Sequence, residues 1–311
     1  MNDRLQVLDC EPVSTQPTPL AAPTKIGPML VAMGKLSPKD LNTILATQKQ
    51  QGLRFGDAAV RLGLVSAEDI NAILAEQFAY TQTPPASSKL DPRLTALFQP
   101  DSVQAEAIRS LRSELMLRYF TASGAVGQTN PATNQPDLAR RALAIVSAEN
   151  AAGTALLTAN LAISFAQLGL RTLIVDSNLR APQLNRLFNL HEYAPGFSDW
   201  IAERSPVVPS AVEQVRSLWI MPAGTSAPNP QELLANKHYQ QRVSALTQRY
   251  DVALFNTAPM DSNRDAQLVA AQTGAAVLVA QQHLTATKTL VAIGNRLREL
   301  GVRLLGTTLL G

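Results

Sequence analysis

The sequence predicts an α/β protein: a doubly wound, mostly parallel β-sheet, preceded by a small, mainly helical tandem-repeat domain. Short apolar segments that alternate with helical patterns predict the sheet, because strands buried on both faces are apolar throughout. A 24-residue pattern that occurs twice near the N-terminus predicts the helical domain. A chain of 311 residues, 46% of them hydrophobic, is long enough to hold both parts.

The first strand–helix–strand unit lies between Leu143 and Pro182. Its predicted elements are a strand at 143–146, a loop of small residues at 147–153, a helix at 154–168 and a strand at 172–175. Gly169 ends the helix as a C-cap residue, and Asp176 lies at the carboxyl end of the second strand. Loops between a strand and a helix bind phosphate in many proteins, so this unit predicts a nucleotide site.

The rest of the sheet follows the same alternation. Strands are predicted at residues 218–224, 252–259, 275–281 and 302–309, and helices at 228–248, 264–272 and 285–300. The strand at 252–259 delivers Asn256. Ligands of doubly wound sheets bind at the carboxyl ends of the strands, so Asp176 and Asn256 are candidate site residues.

Composition and charge exclude several classes of protein. The net charge of +3 is too small to indicate nucleic-acid binding by itself. Cys10 is the single cysteine, which excludes an internal disulfide and fits a reducing compartment. No apolar stretch reaches the length of a membrane span, and the first residues lack the apolar core of a signal peptide. We therefore expect a cytoplasmic protein, with a flexible arm at residues 1–24 that is rich in Pro and Thr.

The tandem repeat places residues 25–48 over residues 54–77, with five residues between the copies. Each copy ends in an amphipathic helix whose N-cap is a serine, Ser37 in the first and Ser66 in the second. The two copies resemble the N-terminal domain of type II secretion and pilus assembly ATPases, the MshEN domain, which binds cyclic di-GMP. Over residues 25–80 the resemblance implies these candidate ligand residues: Lys25, Gly27, Gly34, Arg54, Gly56 and Gly63. The alternative is a purely structural helical module.

A linker is predicted at residues 81–99, followed by a helix at 100–120 and a second linker at 121–137. The helix places Glu106, Arg109 and Arg112 on one face, at i, i+3 and i+6. Its sequence, AEAIRSLRSEL, resembles the segment that precedes the catalytic core in bacterial tyrosine kinases (BY-kinases). There the Glu-x2-Arg-x2-Arg pattern serves subunit contacts, which implies an oligomer. The alternative is a charged, solvated stripe.

Residues 100–311 as a whole resemble the BY-kinase domain, a relative of the MinD/ParA ATPases with a P-loop NTPase fold. The resemblance rests on NLAISFAQLGLRTLIVDSNLRAP, MPAGTSAPNPQELL, FNTAP and GVRLLGTTL. It implies a site for ATP and Mg²⁺, formed here by Gly153, Thr154, Ala155, Asp176, Asn178, Arg180 and Asn256. The family's lysine and metal-binding hydroxyl are replaced by Thr154 and Ala155, and two family acids by Asn178 and Asn256. We therefore expect a degenerate site, with Asp176 as its remaining acid and with weak or absent ATP binding.

Together the repeat and the kinase-like domain resemble the EpsG-like chain-length-determinant kinases of exopolysaccharide clusters. This implies a catalytically degenerate regulator or scaffold, peripheral to the inner membrane through a Wzz-like chain-length determinant and associated with itself or an active paralogue. We expect no nucleic-acid partner and no dedicated metal site. The alternatives are an active tyrosine autokinase and a MinD/ParA-like positioning ATPase. The five scattered tyrosines and the absence of a tyrosine cluster before Gly311 do not favour the autokinase.

Overall fold

The computed structural model describes residues 26–66, 69–70, 88–120, 141–203, 207–236, 239–261 and 263–311. The chain divides into two compact units, residues 1–78 and 79–311. The predicted arm at 1–24 and the linker at 121–137 lie outside the described residues, as do Lys25 and most of the second repeat's helix.

Three helices are described in the first unit: α1 Ile26–Ala32, α2 Pro38–Gln51 and α3 Phe55–Arg61. The hydroxyl of Ser37 accepts a hydrogen bond from the Asp40 backbone, and the Ser66 hydroxyl does the same for Asp69. The second copy thus repeats the N-terminal cap of the first. The pKa of Asp69 is lowered to about 2, mainly by the hydrogen bond to the Ser66 hydroxyl. The Lys35 ammonium, whose Nζ lies 3.0 Å from Oδ1 of Asp69, makes the next largest contribution. The Lys35–Asp69 ion pair therefore joins the two copies.

Glycines at matching places let the helices of each copy pack closely. A Cβ atom at Gly27 would lie 2.5 Å from Cδ1 of Leu41, and one at Gly56 would lie 3.1 Å from Cγ2 of Ile70. Leu41 and Ile70 are themselves matching positions of the repeat. At Gly27 the close approach is to Leu41 of the same copy and to Phe55 of the second copy, and at Gly56 it is to Ile70 of the same copy.

The second unit holds the sheet and nine described helices. The helices before the sheet are α4 Thr95–Phe98 and α5 Val103–Leu115, and a π-helical turn, Met116–Phe120, follows α5. The strands are β1 Ala142–Ser147, β2 Thr172–Asp176, β3 Ser210–Ala211, β4 Leu218–Met221, β5 Val252–Asn256, β6 Ala275–Gln281 and β7 Arg303–Leu310. The remaining helices are α6 Ala151–Ala166, α7 Leu184–Leu187, α8 Phe197–Ile201, α9 Pro230–Leu234, α10 Tyr239–Thr247, α11 Asp265–Thr273 and α12 Thr287–Glu299.

The seven-stranded sheet has the order β3-β4-β2-β5-β1-β6-β7, and only the short edge strand β3 is antiparallel to its neighbour. Strands β1, β2 and β5 are buried along their whole length, as their apolar runs predict. The register pairs Asp176 of β2 directly with Asn256 of β5. The predicted fold class, a mostly parallel α/β sheet, is confirmed.

Some predicted boundaries are wrong. The predicted helix at 154–168 starts earlier, at Ala151, because Asn150 caps it and shortens the loop. The predicted helix at 228–248 is two helices, α9 and α10, because Tyr239 is buried against Phe197 and starts the second one. The predicted helix at 100–120 starts only after Ser102, its N-cap, and ends as a π-helical turn. The first and third differences come from local N-caps, and the second from the tertiary contact of Tyr239.

The predicted linker at 81–99 is wrong for its last part. Leu90, Leu94 and Leu97 are buried in the core of the second unit. The side chain of Asn160 on α6 accepts a hydrogen bond of 2.9 Å from the Ala96 backbone. Residues 88–99 are therefore part of the folded unit, while 81–87 lie outside the described residues. Within the described residues, no helix is both long and apolar enough to cross a bilayer.

Candidate functional site

The loop between β1 and α6, where phosphate is expected, is only three residues long: Ala148 to Asn150. The Asn150 side chain accepts a hydrogen bond of 2.8 Å from the backbone N–H of Gly153. Its amide also donates to Oε1 of Gln281, 2.7 Å away at the end of β6. The hydroxyl of Thr154 donates to the carbonyl of Asn150. The first turn of α6 is thus capped by the chain's own groups.

The space around Gly153 is also filled. A Cβ atom there would lie 2.5 Å from Nδ2 of Asn150 and 3.0 Å from Cδ1 of Leu310. The neighbouring carboxylate of Glu149 accepts a hydrogen bond of 2.8 Å from the Thr285 hydroxyl. This loop therefore places a negative charge and a capping amide beside the helix start, where a phosphate would need free N–H groups and positive charge.

Asp176 is completely buried at the carboxyl end of β2. Its Oδ2 accepts hydrogen bonds of 3.0 Å from the backbone N–H groups of Gln183 and Leu184. Its Oδ1 accepts one of 3.3 Å from the backbone of Asn178 and one of 2.9 Å from Nδ2 of Asn256. Burial raises the pKa of Asp176, and these hydrogen bonds oppose the rise. Each carboxylate oxygen thus has two donors from the protein.

Asn256 is the partner that makes this arrangement possible. Its amide nitrogen donates to Asp176, whereas a carboxylate at the same position would repel it. Its Oδ1 is buried and has no hydrogen-bond partner among the described residues. The structure therefore brings together Asp176 and Asn256, which the sequence predicts to be site residues, as a hydrogen-bonded carboxyl–amide pair.

The other predicted residues of this edge also bond within the protein. Asn178 exchanges hydrogen bonds with the backbone of Ala181 at 2.9 and 3.1 Å. Arg180 pairs with the buried carboxylate of Asp265, with Nε 2.6 Å from Oδ2. The resulting ion pair ties the segment after β2 to the start of α11.

Sequence reasoning missed Asn150, Glu149, Gln281 and Asp265. A signal existed for Asn150, since Asn is a preferred N-cap and lies three residues before Gly153. Asp265 opens the helix predicted at 264–272, which favours an acid in its first turn. No local pattern indicates Gln281, because its partner lies 131 residues away.

Comparisons with known proteins show the family of this chain. Residues 141–300 match the family model described as cellulose biosynthesis protein BcsQ. The putative tyrosine-protein kinase CapB of Staphylococcus aureus is 30% identical over 173 residues, which cover 55% of this chain and 68% of CapB. The chain belongs to the bacterial tyrosine kinase family. The tyrosine-protein kinase wzc of Salmonella typhi is 25% identical over 70% of this chain, but the match spans only 28% of the longer relative.

Solved structures agree with this assignment. The crystal structure of the chimerical protein CapA2B2 superposes with a TM-score of 0.60 at 26% identity, covering 76% of this chain and 96% of that one. The kinase domain of Escherichia coli tyrosine kinase ETK superposes with a TM-score of 0.63 at 25% identity, covering 73% and 82%. The fold of this chain therefore matches that of CapA2B2 and of the ETK kinase domain.

The residues of this chain do not fit ATP and Mg²⁺ in the way the family implies. Thr154 and Ala155, at the lysine and hydroxyl positions, are fully buried. Asp176, the remaining acid, already accepts four hydrogen bonds from the protein. Among the described residues, no group of three or more His, Cys, Asp or Glu side chains could hold a metal ion.

The predicted oligomer contact is partly used within the chain. Arg109 pairs with Glu106 at 2.6 Å and donates to the carbonyl of Pro100. Arg112 instead donates to the carbonyl and hydroxyl of Ser164 on α6, at 3.0 and 3.2 Å. A subunit contact through Glu106 and Arg109 stays a prediction, and Arg112 holds α5 against the core.

Two cavities lie away from the phosphate loop. One, of about 380 Å³, lies beyond the carboxyl end of β4 between α8 and α9, and its polar lining includes Ser198, Thr225, Asn229, Glu232 and Asn236. The other, of about 540 Å³, lies beside β3 and is lined in part by residues 88–90 and 211–214. Neither contains Gly153, Asp176 or Asn256.

Proposed function

We propose that this BY-kinase is catalytically degenerate and acts as a regulator or scaffold of exopolysaccharide biosynthesis, chain length and export. The observation that carries the proposal is the bonding of Asp176, whose two oxygens are both held by donors of the protein. A carboxylate bonded in this way stabilises the fold and has no oxygen free for a metal ion.

The expected loss of activity is large. Removing one stabilising group from a transition state typically costs about 10²–10³ in rate. Here the lysine, the metal-binding hydroxyl and two acids are all replaced. Such effects are not additive, but the Asn150 cap removes a phosphate-binding N–H as well.

The proposed role in polysaccharide synthesis is inferred from the similarity of this chain to its relatives. The matching family model is described by cellulose biosynthesis. The chain would act in the cytoplasm, at the inner membrane, with a membrane chain-length determinant as its partner. Self-association, or association with an active paralogue through Glu106 and Arg109, would let a degenerate subunit regulate an active one.

We expect purified protein to show no ATP·Mg²⁺ binding by calorimetry at millimolar nucleotide and no phosphotyrosine on immunoblots after incubation with ATP. Robust autophosphorylation would instead identify an active autokinase. ATP hydrolysis without phosphotyrosine would identify a MinD/ParA-like ATPase.

A restored variant makes the same test sharper. Thr154→Lys, Ala155→Ser and Asn256→Asp supply three of the four missing groups, and Asn150→Gly removes the cap. We expect the fourfold variant to bind ATP·Mg²⁺ more tightly than the threefold variant that keeps Asn150. Equal binding by both would show that the cap does not obstruct the phosphate.

A second function, binding of cyclic di-GMP by the repeat, is favoured by one observation. The side chain of Arg54 is exposed and forms no ion pair with a described residue. A planar guanidinium can stack on or hydrogen-bond to guanine. The packing role of Gly27 and Gly56 leaves Arg54 as the residue on which recognition would depend most.

We expect calorimetry on the full chain to give binding of cyclic di-GMP at micromolar concentrations, weakened at least about tenfold by Arg54→Ala. Arg61→Ala is the matched control, since Arg61 is an exposed arginine at the end of the same helix, α3. Absence of binding, or equal loss in both variants, would leave the repeat as a structural module.

A further inference from the structure

The end of the sheet at which the parallel strands begin, opposite the candidate site, carries a row of arginines. Strands β4, β2, β5, β1, β6 and β7 are parallel and therefore all begin at this edge. An arginine lies at, or up to three residues before, the start of five of them: Arg216, Arg171, Arg249, Arg141 and Arg303. We call these five residues the arginine edge. With about 4.8 Å between strands, the row extends over roughly 25 Å.

Hydrogen bonds hold parts of this row in place. Arg141 donates to the carbonyls of Gln248 and Tyr250, and Arg303 donates to the carbonyl of Arg118. These contacts link the start of β1 to the segment before β5, and the start of β7 to the π-helical turn.

Positive charge exceeds negative charge along the row. Arg171 is paired with Asp251 at 2.8 Å. Arg216 and Arg249 are exposed and form no ion pair within the described parts of the chain. Glu213, in the turn before β4, and Glu299, which ends α12 and pairs with Arg296, also lie close to the row. A chain with a net charge of only +3 thus concentrates unpaired arginines at one edge.

Exposed leucines lie beside the arginines. Leu168 follows the end of α6 and is 50% exposed, and Leu300 follows the end of α12 and is 39% exposed. Each precedes a strand start by at most four residues, which places both at this edge. Leu117, 73% exposed, adjoins Arg118, whose carbonyl accepts from Arg303. The edge therefore combines cationic and apolar side chains.

We propose that the arginine edge docks directly on a bilayer surface that contains anionic lipids. Arginine guanidinium groups bind lipid phosphates while their aliphatic stems and the leucines enter the interface. Nucleic acid fits less well, since single strands require exposed aromatic rings for stacking, and Tyr119 and Tyr250 near this edge are buried. The contact goes beyond the proposed function, in which only a partner holds the protein at the membrane.

The test is co-sedimentation of the full chain with vesicles. We expect binding to phosphatidylcholine vesicles that contain about one-third phosphatidylglycerol, and none to phosphatidylcholine alone. Arg216→Glu/Arg249→Glu should weaken binding at least about tenfold, since each basic residue near an anionic surface contributes appreciably. Binding should also fall when salt is raised to about 0.5 M.

The matched control is Arg186→Glu/Arg264→Glu, which reverses two exposed arginines near the opposite edge, after β2 and β5. It should bind as the unchanged protein does. No binding of the unchanged protein to anionic vesicles, or equal loss in both double variants, overturns the proposal. So does binding of a single-stranded oligonucleotide that depends on Arg216 and Arg249 when vesicles do not bind.

Discussion

Asn256→Asp is expected to destabilise the protein by about 3–5 kcal/mol at pH 8, the usual cost of an uncompensated buried charge. The new carboxylate would face Oδ1 of Asp176 across a contact that is now a 2.9 Å hydrogen bond. Both groups are completely buried, so two ionised carboxylates could be neither solvated nor paired. The pair would share one proton instead.

The stability of the Asn256→Asp variant should depend on pH. Burial already raises the pKa of Asp176, and a second carboxylate raises the pKa of the pair further. A group whose folded-state pKa is raised stabilises the fold at low pH, and that stabilisation is lost as the pH rises through the folded value. The variant should therefore lose less stability at pH 5 than at pH 8, as measured by urea denaturation.

The matched control is the exchanged pair, Asp176→Asn/Asn256→Asp, which keeps one carboxylate and one amide. We expect it to recover part of the stability lost in Asn256→Asp. If Asn256→Asp unfolds at the same urea concentration as the unchanged protein at pH 8, the two side chains do not form the buried pair described above.

Gly196→Ala is expected to cost about 3 kcal/mol or more, because the added methyl group would collide with backbone atoms. A Cβ atom at Gly196 would overlap the carbonyl oxygen of Pro222 and the backbone nitrogen of Gly224. This contact joins the start of α8 to the segment after β4, where the Phe197 N–H donates to the Pro222 carbonyl at 2.8 Å. Backbone on both sides leaves no flexible group to move aside.

Gly169→Ala is the control for the loss of a glycine alone. Its φ of 79° strains any other residue, but a Cβ atom there meets nothing within 4 Å. Its cost should be about 1–2 kcal/mol, from left-handed backbone strain. Equal losses for the two variants, measured by denaturation at one pH, would contradict a steric clash at Gly196.

The sequence by itself determined the features that depend on local pattern. Apolar runs at β1, β2 and β5 indicate buried parallel strands because only such strands are apolar on both faces. The spacing of the repeat predicted that Gly27 and Gly56 are equivalent, and both pack against equivalent side chains. The prediction that Thr154, Ala155 and Asn256 replace family residues also rests on sequence alone, because the motifs concerned are contiguous in the chain.

Only the tertiary structure decided how the remaining groups are used. Asp176 and Asn256 meet across neighbouring strands 80 residues apart, and Asn150 meets Gln281 across 131 residues. The same long-range packing buries Leu94 within the predicted linker and turns Arg112 towards Ser164. Local patterns report backbone preference and periodicity, whereas the order of the strands sets which distant polar groups share a buried space. Most polar groups in such a space are hydrogen-bonded, because water is excluded.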